Sequence, residues 1–537
     1  MGKNDRELSN FLIVPVAHVR IEDSQNKIHI ERLIDIKTHR RIIKSIPVTA
    51  KMISSLDAFQ ELIMGLSHEA FFYGSKTSLM YVFDYLNQTY PSIPVITGKS
   101  AIGLHKNKKS GQWSCLTQSS AWDSIGPLND LVYYNPSYEK KIVYTSQATI
   151  TSQEVQNINE HLYTFNGLSQ ISSILGWMFS LPIKQRLFKT KNLRFPVLMI
   201  HGQAGSGKTE TMRHIIKRFY GDQGNLYVVG DQTNFTYLNL FGSSNTFPIY
   251  LDEYKPQSFS FSTKKLISQL IRGVYDNSTA SRGQKDMTVR EYPIIAPAVI
   301  CGEAGFTEPA LMERAIDVFM SKEESKPCLQ SFLSLKKLPL TKFGNAYLNW
   351  TLRLSDEQLL EIYNSELDDK HDRPSHNIAM MSVGLTLYKM YTESLGLSLN
   401  VEALKEEMTK TQIKSVKEFG DTASVVDHIL EGIYTMKDLG LLNSEMIVNT
   451  GHPLNSALYL RGIYPQFKKW ARETDFEYEI IPFSELRKQI QKMEYFKENR
   501  NVRFNDKVKK AFVLDIEKLK EKHIFSDVER GKNELPN

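Results

Sequence analysis

The stretch from Phe195 to Tyr220, FPVLMIHGQAGSGKTETMRHIIKRFY, constrains this chain more than any other. Phe195 to Ile200 is a short apolar run and reads as a buried strand. From Thr209 to Tyr220, Met212, Ile215, Ile216 and Phe219 recur at helical spacing with basic residues between them, and Gly221 marks the stop. Between strand and helix, Gly202, Gln203, Ala204, Gly205, Ser206, Gly207, Lys208 and Thr209 fit G-x-x-x-x-G-K-[ST], the P-loop. Glycines permit the turns and close approach that bring several N–H groups onto one phosphate. The following helix adds its free N–H groups and positive dipole end. Lys208 is placed to reach the β- and γ-phosphates of ATP, and the Thr209 hydroxyl to help hold Mg²⁺. The stretch predicts a nucleoside-triphosphate-binding α/β core.

A second apolar strand is predicted over Phe247 to Leu251, ending in Asp252 and Glu253. This is a Walker B pattern, in which Asp252 holds the Mg²⁺ water shell and Glu253 polarises the attacking water. A helix over Thr263 to Val274 follows, then a hairpin over Asn277 to Tyr292 turning around Arg282 to Asp286. A third core strand, Ile294 to Cys301, runs into Gly302-Glu303-Ala304-Gly305-Phe306 and then Glu308 to Val318, which includes Arg314.

The chain has 537 residues, too long for one core. Residues 1–150 read as a β-rich α+β domain without a catalytic constellation; the basic turn His105 to Gly111 is either a phosphate contact or a solvated tip. Residues 151–330 form the nucleotide core, opened by helices over Ser152 to Phe165 and Leu168 to Leu181 and a basic connector, Lys184 to Lys191. Residues 331–440 are helical, with stripes over Leu359 to Tyr363, Ile378 to Leu395, Val401 to Thr409 and Ala423 to Leu439. In residues 441–537, helices are expected over Tyr464 to Thr474 and Phe483 to Tyr495, the latter carrying Arg487, Lys488 and Lys492. Two short strands around 506–510 complete a winged-helix pattern, a basic footprint for duplex DNA; a protein-docking module is the alternative. No apolar run reaches membrane-spanning length, and the N-terminus has no signal core. Three cysteines, far apart and without metal spacing, suggest a reducing cytoplasm and no zinc site. A net charge of +6 permits a polyanionic partner without demanding one.

The order of P-loop, Walker B, hairpin, polar-ended strand and arginine-bearing helix resembles the AAA+ ATPases, and within them the superfamily 3 and MCM helicases. More narrowly, Gly302-Glu303 followed by Pro309-Ala310-Leu311 and Glu313-Arg314 is similar to the replication initiator-helicases of mobile genetic elements, such as those of staphylococcal pathogenicity islands and cassette chromosomes. The resemblance implies a multidomain α/β protein: a P-loop AAA+ core with a helical lid, the N-terminal domain and a C-terminal winged helix. It implies an ATP-driven DNA helicase that assembles as a ring, expected to be a hexamer, with a separate primase if priming is coupled. Glu303 takes the sensor-1 position, where Asn, Ser or Thr is common. Arg314 matches the arginine that acts in a neighbour's site, and Arg373 resembles a sensor-2 arginine in position. Arg282 and Lys285 correspond to a channel hairpin that grips single-stranded DNA. Two rival readings use the same ATPase residues: a remodeller of proteins or transposition regulator, and a nucleotide-switched origin-binding scaffold that does not unwind.

Overall fold

The computed structural model describes residues 7–22, 28–108, 110–134, 140–283, 289–368, 370, 372–420, 425–442, 446–450, 455–474, 476, 480–505, 507–522 and 524. It is a mixed α/β, multidomain chain that divides into two units, Met1–Ile413 and Lys414–Asn537.

The first unit opens with a five-stranded sheet in the order Ile42–Val48, Ile28–Lys37, Leu12–Glu22, Val95–Lys99, Leu131–Tyr133. Ile34 and Ile36 point to the helix side with the strand period of two. There they pack with Phe59 and Ile63 of helix Leu56–Leu66 and Leu79 and Phe83 of helix Lys76–Thr89. Ser55 and Ser75 cap these helices by accepting from the Ala58 and Ser78 amides.

The centre of this unit is a parallel sheet. Its spatial order is Tyr227–Val228, Ile249–Tyr254, Ala298–Gly302, Val197–Gly202, Ala315–Met320. Sheets of this kind are covered on both faces, so their strands read as continuous apolar runs. Alternation sends Leu198 and Ile200 into one core, shared with helix Leu168–Lys191 and the helices after residue 340. Val197 and Met199 enter the other, shared with helices Asn234–Gly242 and Phe261–Asp276.

Four expectations from the sequence are corrected. The helix predicted to end at Leu181 continues through Pro182 to Lys191, and its basic end is no connector. Pro182 forfeits one backbone hydrogen bond. The turns beyond it are fastened by buried cations: Lys184 Nζ donates to Asn277 Oδ1 (2.9 Å) and the Ile295 carbonyl (2.8 Å), and Arg186 Nε donates to Asp356 Oδ1 (2.9 Å). Burial brings the Lys184 pKa down to about 7. The boundary expected at 150 falls inside a continuous core: Ile102, Leu104, Trp113 and Tyr144 belong to the cluster that holds Ile200 and Phe343. The Leu104 amide and carbonyl bond the Asn245 side chain, both at 2.8 Å, and Trp122 Nε1 donates to Asn349 Oδ1 at 2.8 Å. The boundary expected at 440 also moves. Helix Val425–Asp438 belongs to the C-terminal unit, where Ile429, Ile433 and Tyr434 pack with Ile463, Phe467 and Leu514. A helical stripe announces a buried face but not the core that buries it.

That unit has helices Leu460–Glu473 and Phe483–Ile490, then a hairpin of Phe496–Phe504 and Lys507–Asp515 extended by Asn455–Leu458 and Ile447–Asn449. The second helix stops at Ile490, short of the expected Tyr495, because the chain turns to bury the Tyr495 ring and bring its hydroxyl to Asp427 Oδ1 (2.5 Å). Among the described residues of the chain, no helix is long and apolar enough to cross a membrane.

Candidate nucleotide site

The loop Gly202–Thr209 leaves the carboxyl end of its strand, as ligand-binding loops of parallel sheets do. Glycines serve the loop in two ways. At Gly202 (φ +132°) a Cβ would lie 2.2 Å from the Met320 carbonyl oxygen. Gly207 (φ +92°) sits in the left-handed region before the helix that begins at Lys208. That helix reaches Phe219 through a wide π turn, Met212–Ile216. Lys208 Nζ donates to the carbonyls of Gly202 (2.9 Å) and Gln203 (2.6 Å) and so lies within the loop. Burial pushes its pKa down, and the Glu303 and Asp252 carboxylates oppose that shift. Ser206 Oγ is buried with no hydrogen-bond partner among the described residues. An anion oxygen seated in the loop would satisfy it.

The Thr209 hydroxyl donates to Asp252 Oδ1 at 3.1 Å, which joins the loop to the predicted Walker B strand. This hydroxyl–carboxylate pair is an oxygen donor set suited to a hard divalent cation. The Glu253 amide donates to the same Asp252 oxygen at 2.9 Å. Glu253 adopts φ +59°, an uncommon conformation for a side-chain-bearing residue that costs about 1–3 kcal/mol. Its carboxylate is 60% exposed. Glu303 follows strand Ala298–Gly302, which lies between the loop strand and the Walker B strand.

Arg314 is elsewhere. Val197 pairs with Ala315 and Gly202 with Met320, so Arg314 stands at the amino edge of the sheet. Five strand rises, about 17 Å, separate that edge from the loop. Arg314 lies over the Tyr275 ring at 5.6 Å, donates to the Ala310 carbonyl at 2.6 Å and sits 3.9 Å from Asp276. It makes no pair with Glu313, which binds Arg373 at 2.6 Å. Arg373, the first residue of helix Arg373–Ser394, is therefore a neighbour of Arg314 and is not brought to the loop. The expected hairpin is formed by Thr279–Gly283 and Val289–Pro293. Arg282 is on its first strand, with backbone opposite Arg290, and Lys285 lies outside the described residues. Arg487 and Lys488 are exposed on helix Phe483–Ile490, while Lys492 is exposed beyond its end.

No protein-family model matches the sequence, and no curated protein does. Among solved structures, one described as the active helicase Cch of SCCmec type IV aligns with 97% of this chain and 96% of its own, at 12% identity and a TM-score of 0.64. The chain has the fold of a cassette-chromosome helicase. The likeness expected from the sequence is thus borne out at the level of the fold. The apo C-terminal region of NrS-1 (10% identity; 92% and 96% covered; TM-score 0.33) and the JCV helicase (16% identity; 54% and 72% covered; TM-score 0.19) are too distant to carry an argument.

Within this helicase fold, the site contains a residue that motif reading passed over. Lys255 Nζ lies 3.6 Å from Glu253 Oε2 and 3.6 Å from Glu303 Oε1. The signal was its place two residues beyond the acidic pair, a position to which the Walker B pattern assigns nothing.

Proposed function

We propose that this chain is an ATP-driven DNA helicase with a P-loop AAA+ core, a helical lid and a C-terminal winged helix, acting as a ring in the replication of a mobile genetic element. The hydrogen bond between Thr209 and Asp252 carries the ATPase part of this reading, because it closes a P-loop against a Walker B carboxylate. In this reading the loop amides and Lys208 bind the phosphates. Thr209 and Asp252 hold Mg²⁺, which when bound neutralises phosphate charge. Glu253 accepts the hydrogen bond of the attacking water. Arg314 is too far from its own loop to serve it, so the cation it carries completes a site only on a neighbouring subunit. Arg373, beside it, belongs to the same interface. Head-to-tail interfaces of this kind generate rings, and a hexamer is the expected closure.

Two regions support DNA as the track. Arg282 on the first hairpin strand, and Lys285 in the sequence between the two strands, supply cations for backbone contacts that are independent of sequence. The C-terminal unit exposes Arg487, Lys488 and Lys492 with the hairpin cations Arg500, Arg503, Lys507 and Lys510. The deciding experiment is unwinding of forked DNA, with strands labelled to report direction, alongside ATPase measurements with and without single-stranded DNA. ATP-dependent strand separation and DNA-stimulated hydrolysis, both lost on Arg282→Ala with Lys285→Ala, are the expected results. Stimulation by protein but not DNA would favour a remodeller, and duplex binding without unwinding would favour a scaffold.

The placement of Arg314 makes its own prediction. Subunits carrying Arg314→Ala and subunits carrying Lys208→Ala are each expected to be inactive alone. Mixed in equal amounts, they form competent interfaces at about a quarter of positions, so ATPase activity reappears. No recovery in rings shown by native mass spectrometry to be mixed would rule out action across the interface.

A further inference from the structure

Glu303 is a problem for the proposed ATPase. A carboxylate after this strand has the wrong charge to meet a γ-phosphate. The geometry around it offers an answer. The Walker B strand changes register between Leu251 and Tyr254, and Tyr254 then pairs with Gly302. Only glycine permits that approach, since a Cβ at position 302 would lie 2.3 Å from the Tyr254 carbonyl oxygen. The bend brings Lys255 back over the strand end, where its ammonium stands 3.6 Å from both the Glu253 and Glu303 carboxylates.

We propose that Lys255 is a γ-phosphate-binding residue, held at the sensor position by Glu303. This inference rests on the ATPase reading and assigns a second phosphate cation to that site. Lys208 approaches from the loop, and Lys255 from the strand on the far side of Glu303. The three side chains are half-exposed, with 43% for Lys255, 60% for Glu253 and 62% for Glu303, so the ammonium is open to a ligand. Exposed pairs at this separation are weak and exchange readily. A phosphate oxygen therefore competes with both carboxylates for Lys255 and draws it from Glu253. Glu253 is then free to take the hydrogen bond of a water. Lys255 thus supplies the positive contact that Asn, Ser or Thr would otherwise provide by hydrogen bonding.

The test compares ATP and ADP affinity by displacement of a fluorescent nucleotide, together with phosphate release. Lys255→Met is expected to weaken ATP binding by about tenfold to a hundredfold, the loss of one charge-assisted hydrogen bond, while ADP changes by less than about twofold. Lys255→Arg should retain the preference for ATP. Combining Lys255→Met with Glu303→Asn should recover part of it, because a neutral donor then replaces the carboxylate. ADP affinity serves as the control for folding. If Lys255→Met moves ATP and ADP equally, or neither, while Lys208→Ala abolishes ATP binding, the assignment of Lys255 is wrong and the ATP site stands. If Lys208→Ala leaves ATP binding intact, the ATP site falls and Lys255 with it.

Discussion

Lys208→Ala is expected to reduce ATP turnover to background, and Glu253→Gln to leave ATP bound but hydrolysed about 10²- to 10⁴-fold more slowly. The two losses differ because the residues do different work. Lys208 lies inside the loop, bonded to the carbonyls of Gly202 and Gln203. Removing it takes away phosphate charge neutralisation in the ground state and the transition state alike. Glu253 has its carboxylate 3.6 Å from Lys255 Nζ. Its amide is committed to Asp252, its backbone holds φ +59°, and its side chain is largely exposed. Glutamine preserves that shape and removes only the ability to accept a proton. Binding of a fluorescent ATP analogue therefore separates the variants: Glu253→Gln retains it and Lys208→Ala does not. Turnover of Lys208→Ala within about tenfold of the unaltered protein would end the ATPase reading.

The parts of this site legible in the sequence are those in which chemistry and chain order coincide. Gly202 to Thr209 and Asp252 with Glu253 are local patterns, and the structure brings them together through one hydrogen bond. The strands around them were legible because parallel strands buried on both faces are short apolar runs. Lys255 was hidden because its position depends on a register change and on what Gly302 lacks, neither of which has a periodic signature. The remoteness of Arg314 and Arg373 from the loop follows from strand pairing, which sequence spacing does not encode. Lys184 and Arg186 misled for a related reason. Basic residues after a proline look like a solvated connector, and only the tertiary partners Asn277, Ile295 and Asp356 make their burial possible.

Loss of Asp356 should cost the fold much of its stability. The Asp356 carboxylate receives Arg186 Nε at 2.9 Å, Lys106 Nζ at 3.0 Å and the Trp113 indole N–H at 3.0 Å. Arg186 is 2% exposed and also donates to the carbonyls of Thr351 (2.9 Å) and Leu354 (2.6 Å). The cluster therefore ties the N-terminal segment, the long helix and the helical region to one another. Asp356→Ala leaves a guanidinium in the core without its counter-ion, a change that costs about 3–5 kcal/mol when a buried pair is broken from one side. Replacing both partners, with Arg186→Met and Asp356→Leu, should recover much of that, because no charge is then left unpaired. Burial opposes the ionised carboxylate, but hydrogen bonds from Lys106 and Trp113 and the charge of Arg186 outweigh it, so its pKa lies below the ordinary value of 3.8. A depressed carboxylate stabilises the fold above its unfolded-state pKa. That contribution is lost as the pH falls through the lower folded-state value. The unaltered protein should accordingly lose thermal stability below about pH 4 more steeply than Asp356→Asn, which has no such proton to take up. Thermal unfolding of Asp356→Ala at neutral pH within about 1 °C of the unaltered protein would show that the cluster is dispensable.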